Sequence, residues 1–239
     1  MAIAVASLTS GTDTSNVATS YVTASVTLNL NELGLIGVYR TIAASPAPTA
    51  TVAWTAGASW TQVADIGFNT NALPTLRLTV FRYLGAAVTG TITITESGAG
   101  TNMAWAVAQV TGTDTSGTNG SGAIVQSPTN FLDSNATSIS VTTSAPAANN
   151  AMMAFALSGG AGALTAGSGY TILHDVAMTL PSDEAGSEYN LTPSGTSVSI
   201  SGVSGKWGIV AVEILAAAAA ARGRTAQNYS QAVQRASVW

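Results

Sequence analysis

The chain has 239 residues, no cysteine, only 8% charged residues and a formal net charge of −4. This length suits one large β domain or two small ones, and the absence of cysteine excludes disulfides and thiolate metal sites. Because charged residues make up about 25% of an ordinary globular protein, the polar surface must consist of Thr, Ser, Asn and Gln. Such a neutral surface suits a protein packed against copies of something else, with a secreted β domain as the alternative.

Charge is divided unevenly along the chain. All eleven acids and four of the seven bases lie at or before Glu213, which gives that body a formal charge of −7. An acidic body does not attract nucleic acid along its length. The tail that follows carries Arg222, Arg224 and Arg235 and no acid. This basic tail is predicted to seek a neighbouring acidic surface, with ordinary solvated charge as the alternative interpretation.

Neither a secretory signal nor a membrane span is expected. The first residues, MAIAVASLTSG, have no basic region and too short an apolar run for a signal peptide. The most apolar window, Trp207–Ala221, is shorter than a bilayer span and contains Glu213. We therefore expect a protein that is made in the cytoplasm and has no membrane partner.

Strand patterns run through most of the chain. Residues 1–19 are small and polar, without periodicity after Val5, and are predicted to be an arm or an edge segment. Alternation begins at Tyr21 and continues to Leu30. Leu33–Ile42 is more continuously apolar, which predicts a strand covered on both faces. The other predicted strands are Thr51–Trp54, Trp60–Phe68, Leu76–Tyr83, Thr91–Thr95, Met103–Val110, Ala123–Ser127, Ser138–Thr142, Asn150–Leu157, Ser197–Ser201 and Trp207–Leu215.

The body over residues 20–215 is predicted to be one β domain. In Thr91–Thr95 the isoleucines and threonines alternate, as expected for a strand with one buried face. About eleven to thirteen such runs, separated by turn residues and without a helical period, indicate an all-β fold. We predict an antiparallel β-sandwich of jelly-roll type. Residues 163–190 are the least regular segment within it.

The composition changes after Leu215, where residues 216–239 form an alanine-rich linker and a predicted C-terminal α-helix. Thr225 is a candidate N-cap, and the apolar residues that follow fall on one helical stripe. A helix of about fifteen residues is marginal alone in water, so it needs a surface. We interpret it as docking on another chain, with packing on its own sandwich as the alternative. The stripe consists of Tyr229, Ala232, Val233, Ala236 and Trp239.

Few catalytic constellations are available. A Ser–His–Asp triad would need His174, but no Gly-x-Ser-x-Gly elbow presents a serine, and Asp175 would face the opposite side of a strand. Asp183, Glu184 and Glu188 could supply the carboxylate pair of a glycosidase, although exposed loop acids are commoner in such an irregular segment. No phosphate-binding or dinucleotide-binding loop appears. We predict no enzymatic activity, no cofactor and no metal.

Two further groups of residues have a structural and a functional interpretation. Trp54 and Trp60 are predicted core residues, and sugar-stacking platforms are the alternative. The glycine-rich loop 113–122 has the oxygen atoms for a calcium ion but only one carboxylate, which favours a plain turn. The candidate calcium ligands in it are Asp114, Ser116 and Asn119.

Three segments resemble a poorly characterised family of β-sandwich proteins that is encoded in tailed-bacteriophage genomes and prophage-like regions. They are Leu76–Gly85 (LRLTVFRYLG), Ala104–Val107 (AWAV) and Asp114–Ser127 (DTSGTNGSGAIVQS). The similarity covers roughly residues 15–215 and does not include the terminal helix. The resemblance implies a virion structural protein on the capsid surface or in the tail.

Within that setting, the leading hypothesis is a capsid decoration (cement) protein in the virion. Its partners would be the major capsid protein or another virion protein and copies of itself, with a trimer favoured by closed symmetry. Many modest contacts would then stiffen the shell through multivalency. The alternatives are a tail or fibre component that binds host-surface carbohydrate, and a jelly-roll polysaccharide hydrolase. Neither nucleic acid nor membrane is an expected partner.

Overall fold

The computed structural model describes residues 2–13, 18–42, 46–69, 75–100, 102–179 and 182–218. The predicted C-terminal helix, its stripe from Tyr229 to Trp239, and the basic tail with Arg222, Arg224 and Arg235 all lie outside the described residues. They stay predictions. The described part is all-β, and none of its residues belongs to a helix long and apolar enough to cross a bilayer.

The described chain forms strands β1 to β17 and one short 3₁₀ segment, Thr118–Ala123, before β11. The first nine strands are β1 (Ala4–Asp13), β2 (Ser20–Val22), β3 (Val26–Leu28), β4 (Leu33–Thr41), β5 (Ala50–Trp54), β6 (Thr61–Phe68), β7 (Leu76–Tyr83), β8 (Val88–Gly90) and β9 (Ile92–Glu96). The others are β10 (Asn102–Thr111), β11 (Ile124–Gln126), β12 (Thr129–Thr142), β13 (Ala151–Ser158), β14 (Thr165–Ala166), β15 (Thr171–Thr179), β16 (Ser182–Asn190) and β17 (Ser197–Ile214).

These strands build two large antiparallel sheets. The first sheet has the order β1-β10-β4-β7-β6. The second has the order β11-β17-β13-β16-β15, with β12 and β14 also paired to β17. The all-β prediction is therefore confirmed, whereas the jelly-roll type stays a prediction. Two small sheets, β2-β9-β5 and β3-β8, complete the described fold.

The two large sheets pack face to face around a central hydrophobic core. Leu35 and Val80 of the first sheet belong to the same buried cluster as Phe155 and Val212 of the second. The Tyr39 hydroxyl crosses between the sheets and donates to the carbonyl of Gly186 at 2.7 Å. This arrangement is that of a β-sandwich.

A further layer covers the outer face of each large sheet. We call the small sheets (β2, β3, β5, β8 and β9) the cap, because they enclose a second buried cluster against the first sheet. We call β12 with β17 the bent ribbon. Its residues Ile139, Val141, Val198 and Ile200 fold back over the second sheet and enclose a third cluster. The described residues therefore form three cores rather than one.

The predicted strand with two covered faces is confirmed in β4. All nine of its residues are buried. Side chains alternate across a strand, so Leu35 and Tyr39 enter the central core while Ile36 and Val38 enter the core beneath the cap. A continuous apolar sequence is what such a position requires.

The prediction of irregular structure for residues 163–190 is wrong, because this segment contains β15 and β16. The sequence of β16, SDEAGSEYN, is polar, yet its residues from Asp183 to Glu188 are all buried. Hydrogen bonds from other parts of the chain take the place of solvent around these polar groups. Residues 1–19, predicted to be an arm or an edge, contribute β1, which pairs with β10 at the margin of the first sheet.

The two last predicted strands are one strand. Segments Ser197–Ser201 and Trp207–Leu215 both fall in or directly beside β17. The pairing with β12 shifts register twice between Leu132 and Ser138, opposite the glycine-containing middle of β17. Register shifts of this kind bend a strand. Because of the bend, β17 belongs both to the second sheet and to the layer that covers it.

Candidate interaction surface

The surface of the described residues is sparsely charged. These residues include all eleven acids and the four bases that precede the tail. Among them only Asp175 is exposed, and every other charged side chain is buried or half-buried. Threonine, serine, asparagine, glutamine and small residues therefore form the solvent face, as the composition predicts.

Arg40 and Glu96 form a buried ion pair between the first sheet and the cap. The exposed fractions of their side chains are 2% and 0%. Arg40 also donates from Nη1 to the Tyr21 hydroxyl at 2.9 Å, and its guanidinium lies over that ring. Burial raises the pKa of Glu96 to about 7, against the opposing effect of the Arg40 charge. This pair fastens the cap and offers nothing to a ligand.

Glu213 fastens the chain that leads into β13. Its carboxylate accepts hydrogen bonds from the side-chain amides of Gln126 at 2.5 Å and Asn150 at 2.6 Å. It also accepts from the backbone N–H of Ala147 at 3.0 Å. The carboxylate is 1% exposed, so it acts as an internal clamp.

The three acids that could supply a catalytic pair do not share one face of β16. Asp183 accepts a hydrogen bond from Thr41 Oγ1 at 2.6 Å on the sandwich side. Glu184 and Glu188 face the outer side, where they accept from the backbone N–H groups of Gly162 at 3.1 Å and Gly167 at 2.9 Å. Burial raises the pKa of Glu184 and of Glu188 to about 7. Asp183 therefore cannot form a facing pair with either glutamate.

His174 ties two sheet margins together. Its Nδ1 lies 2.7 Å from Ser187 Oγ, and its Nε2 lies 2.8 Å from Ser7 Oγ on β1. Burial lowers the pKa of His174 to about 4, so the ring is neutral near pH 7. Asp175 is directed to the outer side, where it accepts from the N–H of Leu164 at 3.2 Å. The expectation that these neighbours face opposite sides is confirmed.

Trp54 and Trp60 are core residues, as predicted. They are 2% and 5% exposed, and their ring centroids lie 5.7 Å apart. Each ring centroid also lies 5.6 Å from that of Tyr83. The three rings form an aromatic cluster beneath the cap.

The loop over residues 113–122 uses its oxygen atoms internally. Asp114 Oδ1 accepts from Ser116 Oγ at 2.5 Å and from Ser116 N at 2.7 Å, and these hydrogen bonds lower the pKa of Asp114. The Asn119 side chain accepts from Leu84 N at 3.0 Å and donates to Thr61 Oγ1 at 2.8 Å. Asn119 adopts φ 50°, a left-handed conformation that asparagine tolerates. The loop is a folded turn, and no acid–histidine cluster suited to a metal occurs among the described residues.

Two adjoining cavities open on the outer side of the bent ribbon. The first, which we call the serine cavity, has a volume of about 570 Å³. The second has a volume of about 430 Å³ and shares Ser168 with the first. No charged side chain lines either cavity, so both present mainly hydroxyls, amides and backbone. The serine cavity is lined by Asn130, Leu132, Ser138, Ile139, Ser140, Ala166, Gly167, Ser168, Ser199, Ile200 and Ser201.

The margin of the second sheet beside the serine cavity is formed by β11 and β12. Within the described chain both strands pair only with β17. Two apolar side chains lie exposed here, Val125 at 50% and Phe131 at 48%. An edge strand offers unpaired backbone groups to another chain. The sequence pattern did not single out this margin, because only Ser138–Thr142 of β12 alternates clearly.

Comparisons with known proteins yield little. No family model matches the chain, and no curated protein matches it. A solved structure of infectious bursal disease virus, Gt strain, is similar over 98% of this chain and 49% of that chain, at 12% identity and a TM-score of 0.26. The chain thus spans about half the length of that structure's chain. A TM-score of 0.26 is too low to transfer a fold or a role.

Proposed function

We propose that this protein is a non-enzymatic virion structural protein, and specifically a capsid decoration protein that binds the shell and neighbouring copies of itself. The observation that carries the proposal is the sparsely charged surface. A protein with few surface charges has little repulsion to keep copies apart, which favours association. The virion setting is supported by the resemblance of the chain to tailed-bacteriophage β-sandwich proteins.

The docking surface in this proposal is the margin of β11 and β12. Phe131 supplies an exposed aromatic anchor, and aromatic residues are enriched where interfaces hold most of their binding energy. The unpaired edge of β12 supplies backbone groups for strand addition by a shell protein or a second copy. Val125 extends the apolar strip along the same margin. The terminal helix and the basic tail would add a second contact, and closed symmetry favours a trimer.

The charge distribution of the body limits which acidic surface the basic tail would bind. The sequence predicts that Arg222, Arg224 and Arg235 seek an acidic surface. Five of the eleven carboxylates of the described body are buried, and three of these have a pKa raised to about 7. The body of a second copy therefore presents less acidic surface than its formal charge of −7 indicates. We propose that the acidic partner of the tail is the shell.

The proposal is tested by incorporation into particles. We expect the full chain to copurify in many copies with capsids, and we expect deletion of 225–239 to abolish incorporation while the sandwich stays folded. Immunogold labelling then separates shell from tail, because a decoration protein labels the whole capsid surface. Labelling confined to the tail tip would replace the decoration role with a tail role.

A second candidate function is carbohydrate binding by a tail or fibre component. The observation that favours it is the smaller cavity, where the half-buried ring of Tyr170 lies beside Asn190 and several hydroxyls. A ring beside amide and hydroxyl groups is the kind of surface that binds a neutral sugar. A glycan array with a reproducible hit that Tyr170→Ala removes, and that Ser140→Ala retains, would favour this role over decoration.

A further inference from the structure

One cavity gathers the single lysine of the sequence with an asparagine and a buried acid. It has a volume of about 340 Å³ and is lined by Lys206, Asn69 and Asp183, among others. Lys206 Nζ donates a hydrogen bond to the backbone oxygen of Asn69 at 3.4 Å. Asn69 follows β6 in the first sheet and Lys206 belongs to β17 in the second, so the contact spans the end of the sandwich.

Strand register directs Lys206 and Asp183 to the same side of the second sheet. Ser158 of β13 pairs with Trp207 on one side and with Glu184 on the other. Trp207 and Glu184 face outward, so the residues before them face the sandwich. Gly159, the residue that follows β13, lies between them and has no side chain to separate them. Burial raises the pKa of Asp183.

The side chain of Asn69 is held in place while its carbonyl oxygen accepts no hydrogen bond. Its Nδ2 donates to Thr75 Oγ1 at 2.5 Å, while its Oδ1 is buried without a hydrogen-bond partner. The backbone N–H donates to Asp133 Oδ1 at 2.6 Å. Asn69 adopts φ 93°, an uncommon conformation for a residue other than glycine. The surrounding contacts therefore hold Asn69 in place, and Lys206 Nζ reaches this residue at its backbone oxygen.

We propose that Lys206 and Asn69 join in an intramolecular isopeptide bond, with Asp183 as the proton relay. Lys206 Nζ passes one proton to Asp183 and attacks Cγ of Asn69 as the free amine, and the new C–N bond forms as the carbonyl oxygen takes negative charge. Asp183 donates a proton to that oxygen, the kind of assistance a buried acid gives. The Cγ–Nδ2 bond then breaks, and Nδ2 leaves as ammonia with a proton that came from Nζ. Asp183 regains its proton, and no oxidant or further reactant is needed.

The bond would tie the end of β6 to β17 across 137 residues of sequence. A cross-link that closes so long a loop restricts the unfolded chain and slows separation of the two sheets. It would increase the resistance of the sandwich to thermal and mechanical unfolding. The inference rests on the local contacts of these three residues and stands independently of the decoration role.

Intact mass measurement of the full chain tests the proposal. We expect a mass below the sequence mass by one ammonia molecule, and fragmentation should give a branched peptide that contains both Lys206 and Asn69. A chain at its full sequence mass after prolonged incubation would overturn the proposal. So would a branched peptide that contains another asparagine in place of Asn69.

Variants separate this bond from other sources of ammonia loss. Lys206→Arg and Asn69→Ala should restore the full sequence mass, and Asp183→Asn should slow the mass loss at least tenfold. Asn135→Ala, at the other asparagine that lines the cavity, is the matched control and should keep the loss. An ammonia loss that persists in Lys206→Arg comes from cyclisation of an asparagine on its own backbone and overturns the proposal.

Discussion

The cap and the bent ribbon cover opposite faces of the same sandwich in different ways. The cap is made of strands of three to five residues that pair only with one another, and a buried ion pair and an aromatic cluster hold it to the first sheet. The ribbon covers the second sheet with the 18-residue strand β17, half of which lies inside that sheet. The cap is therefore a separable layer, whereas the ribbon is continuous with the sandwich.

This difference gives the two layers different modes of opening. Local unfolding follows contiguous cooperative units. The cap can open as one unit while the central core stays intact, because no cap strand belongs to a large sheet. The ribbon cannot open without disturbing β17, which the second sheet needs. Substitutions in the two layers should therefore change different transitions.

The largest effect is expected for Trp207→Ala in the bent ribbon. Trp207 is fully buried, and its Nε1 donates to the carbonyl of Ala136 at 2.7 Å. Loss of this side chain leaves a cavity and should lower the global free energy of unfolding by about 4 kcal/mol. Urea denaturation should show one transition, with fluorescence and far-ultraviolet circular dichroism coincident. A separate early transition of the ribbon would contradict its continuity with the sandwich.

Arg40→Ala should open the cap. It leaves Glu96 buried without its partner, which costs about 3 kcal/mol when one member of a buried pair is removed. Hydrogen exchange should accelerate at Tyr21 and Ile94 in the cap, whereas Phe155 in the central core keeps its protection. The double variant Arg40→Met/Glu96→Leu should recover most of the lost protection, because it removes the unpaired charge. Equal acceleration at Phe155 would show that the cap is not separable.

The free energy of unfolding should depend on pH because of the buried glutamates. Burial raises the pKa of Glu188 from 4.5 to about 7, so the folded state holds a proton that the unfolded chain releases. This stability is fully present below the unfolded pKa and is lost as the pH rises through about 7. Glu188→Gln should reduce the loss between pH 5 and pH 7.5 by about 1–2 kcal/mol, as measured by urea denaturation.

His174 provides the control of opposite sign. Burial lowers the pKa of His174 from 6.5 to about 4, so the unfolded chain binds the proton first as the pH falls. The stability contributed by its neutral ring is therefore lost between those values on acidification. His174→Asn should flatten the acid side of the curve and leave the alkaline side as it is. A Glu188→Gln variant with the wild-type curve would contradict the buried state of that carboxyl.

The smallest effect on stability is expected for Phe131→Arg at the exposed margin of β12. The side chain is 48% exposed, so the free energy of unfolding should change by less than about 0.5 kcal/mol. Association should nevertheless be lost, because a charge would stand in the proposed docking surface. Sedimentation velocity of the full chain checks this. Leu30→Arg, at a residue 64% exposed on a turn beside the cap, is the matched control and should associate normally.

The sequence predicts those parts of the fold whose side chains alternate between core and solvent. Thr91–Thr95 and Leu76–Tyr83 correspond closely to β9 and β7, and the tryptophans Trp54 and Trp60 lie in the core as expected. The polar strand β16 was missed because its burial depends on hydrogen bonds from distant segments such as Thr41 and Gly162. No local pattern encodes such partners.

The candidate surface was less predictable than the fold. The low charge of the sequence correctly indicates a hydroxyl-rich exterior. It gives no sign that β12 bends, because the bend depends on register with β17 rather than on a turn motif. The serine cavity and the exposed margin with Phe131 follow from that bend. The cavity that joins Lys206, Asn69 and Asp183 likewise brings together residues far apart in the chain.

Cryo-electron microscopy of purified particles that contain this chain tests the central claim most directly. The account predicts symmetric copies on the shell, with the margin of β11 and β12 buried against a shell subunit or a neighbouring copy. Well-ordered particles that lack the chain, together with a full chain that sediments as a solitary monomer, would contradict it.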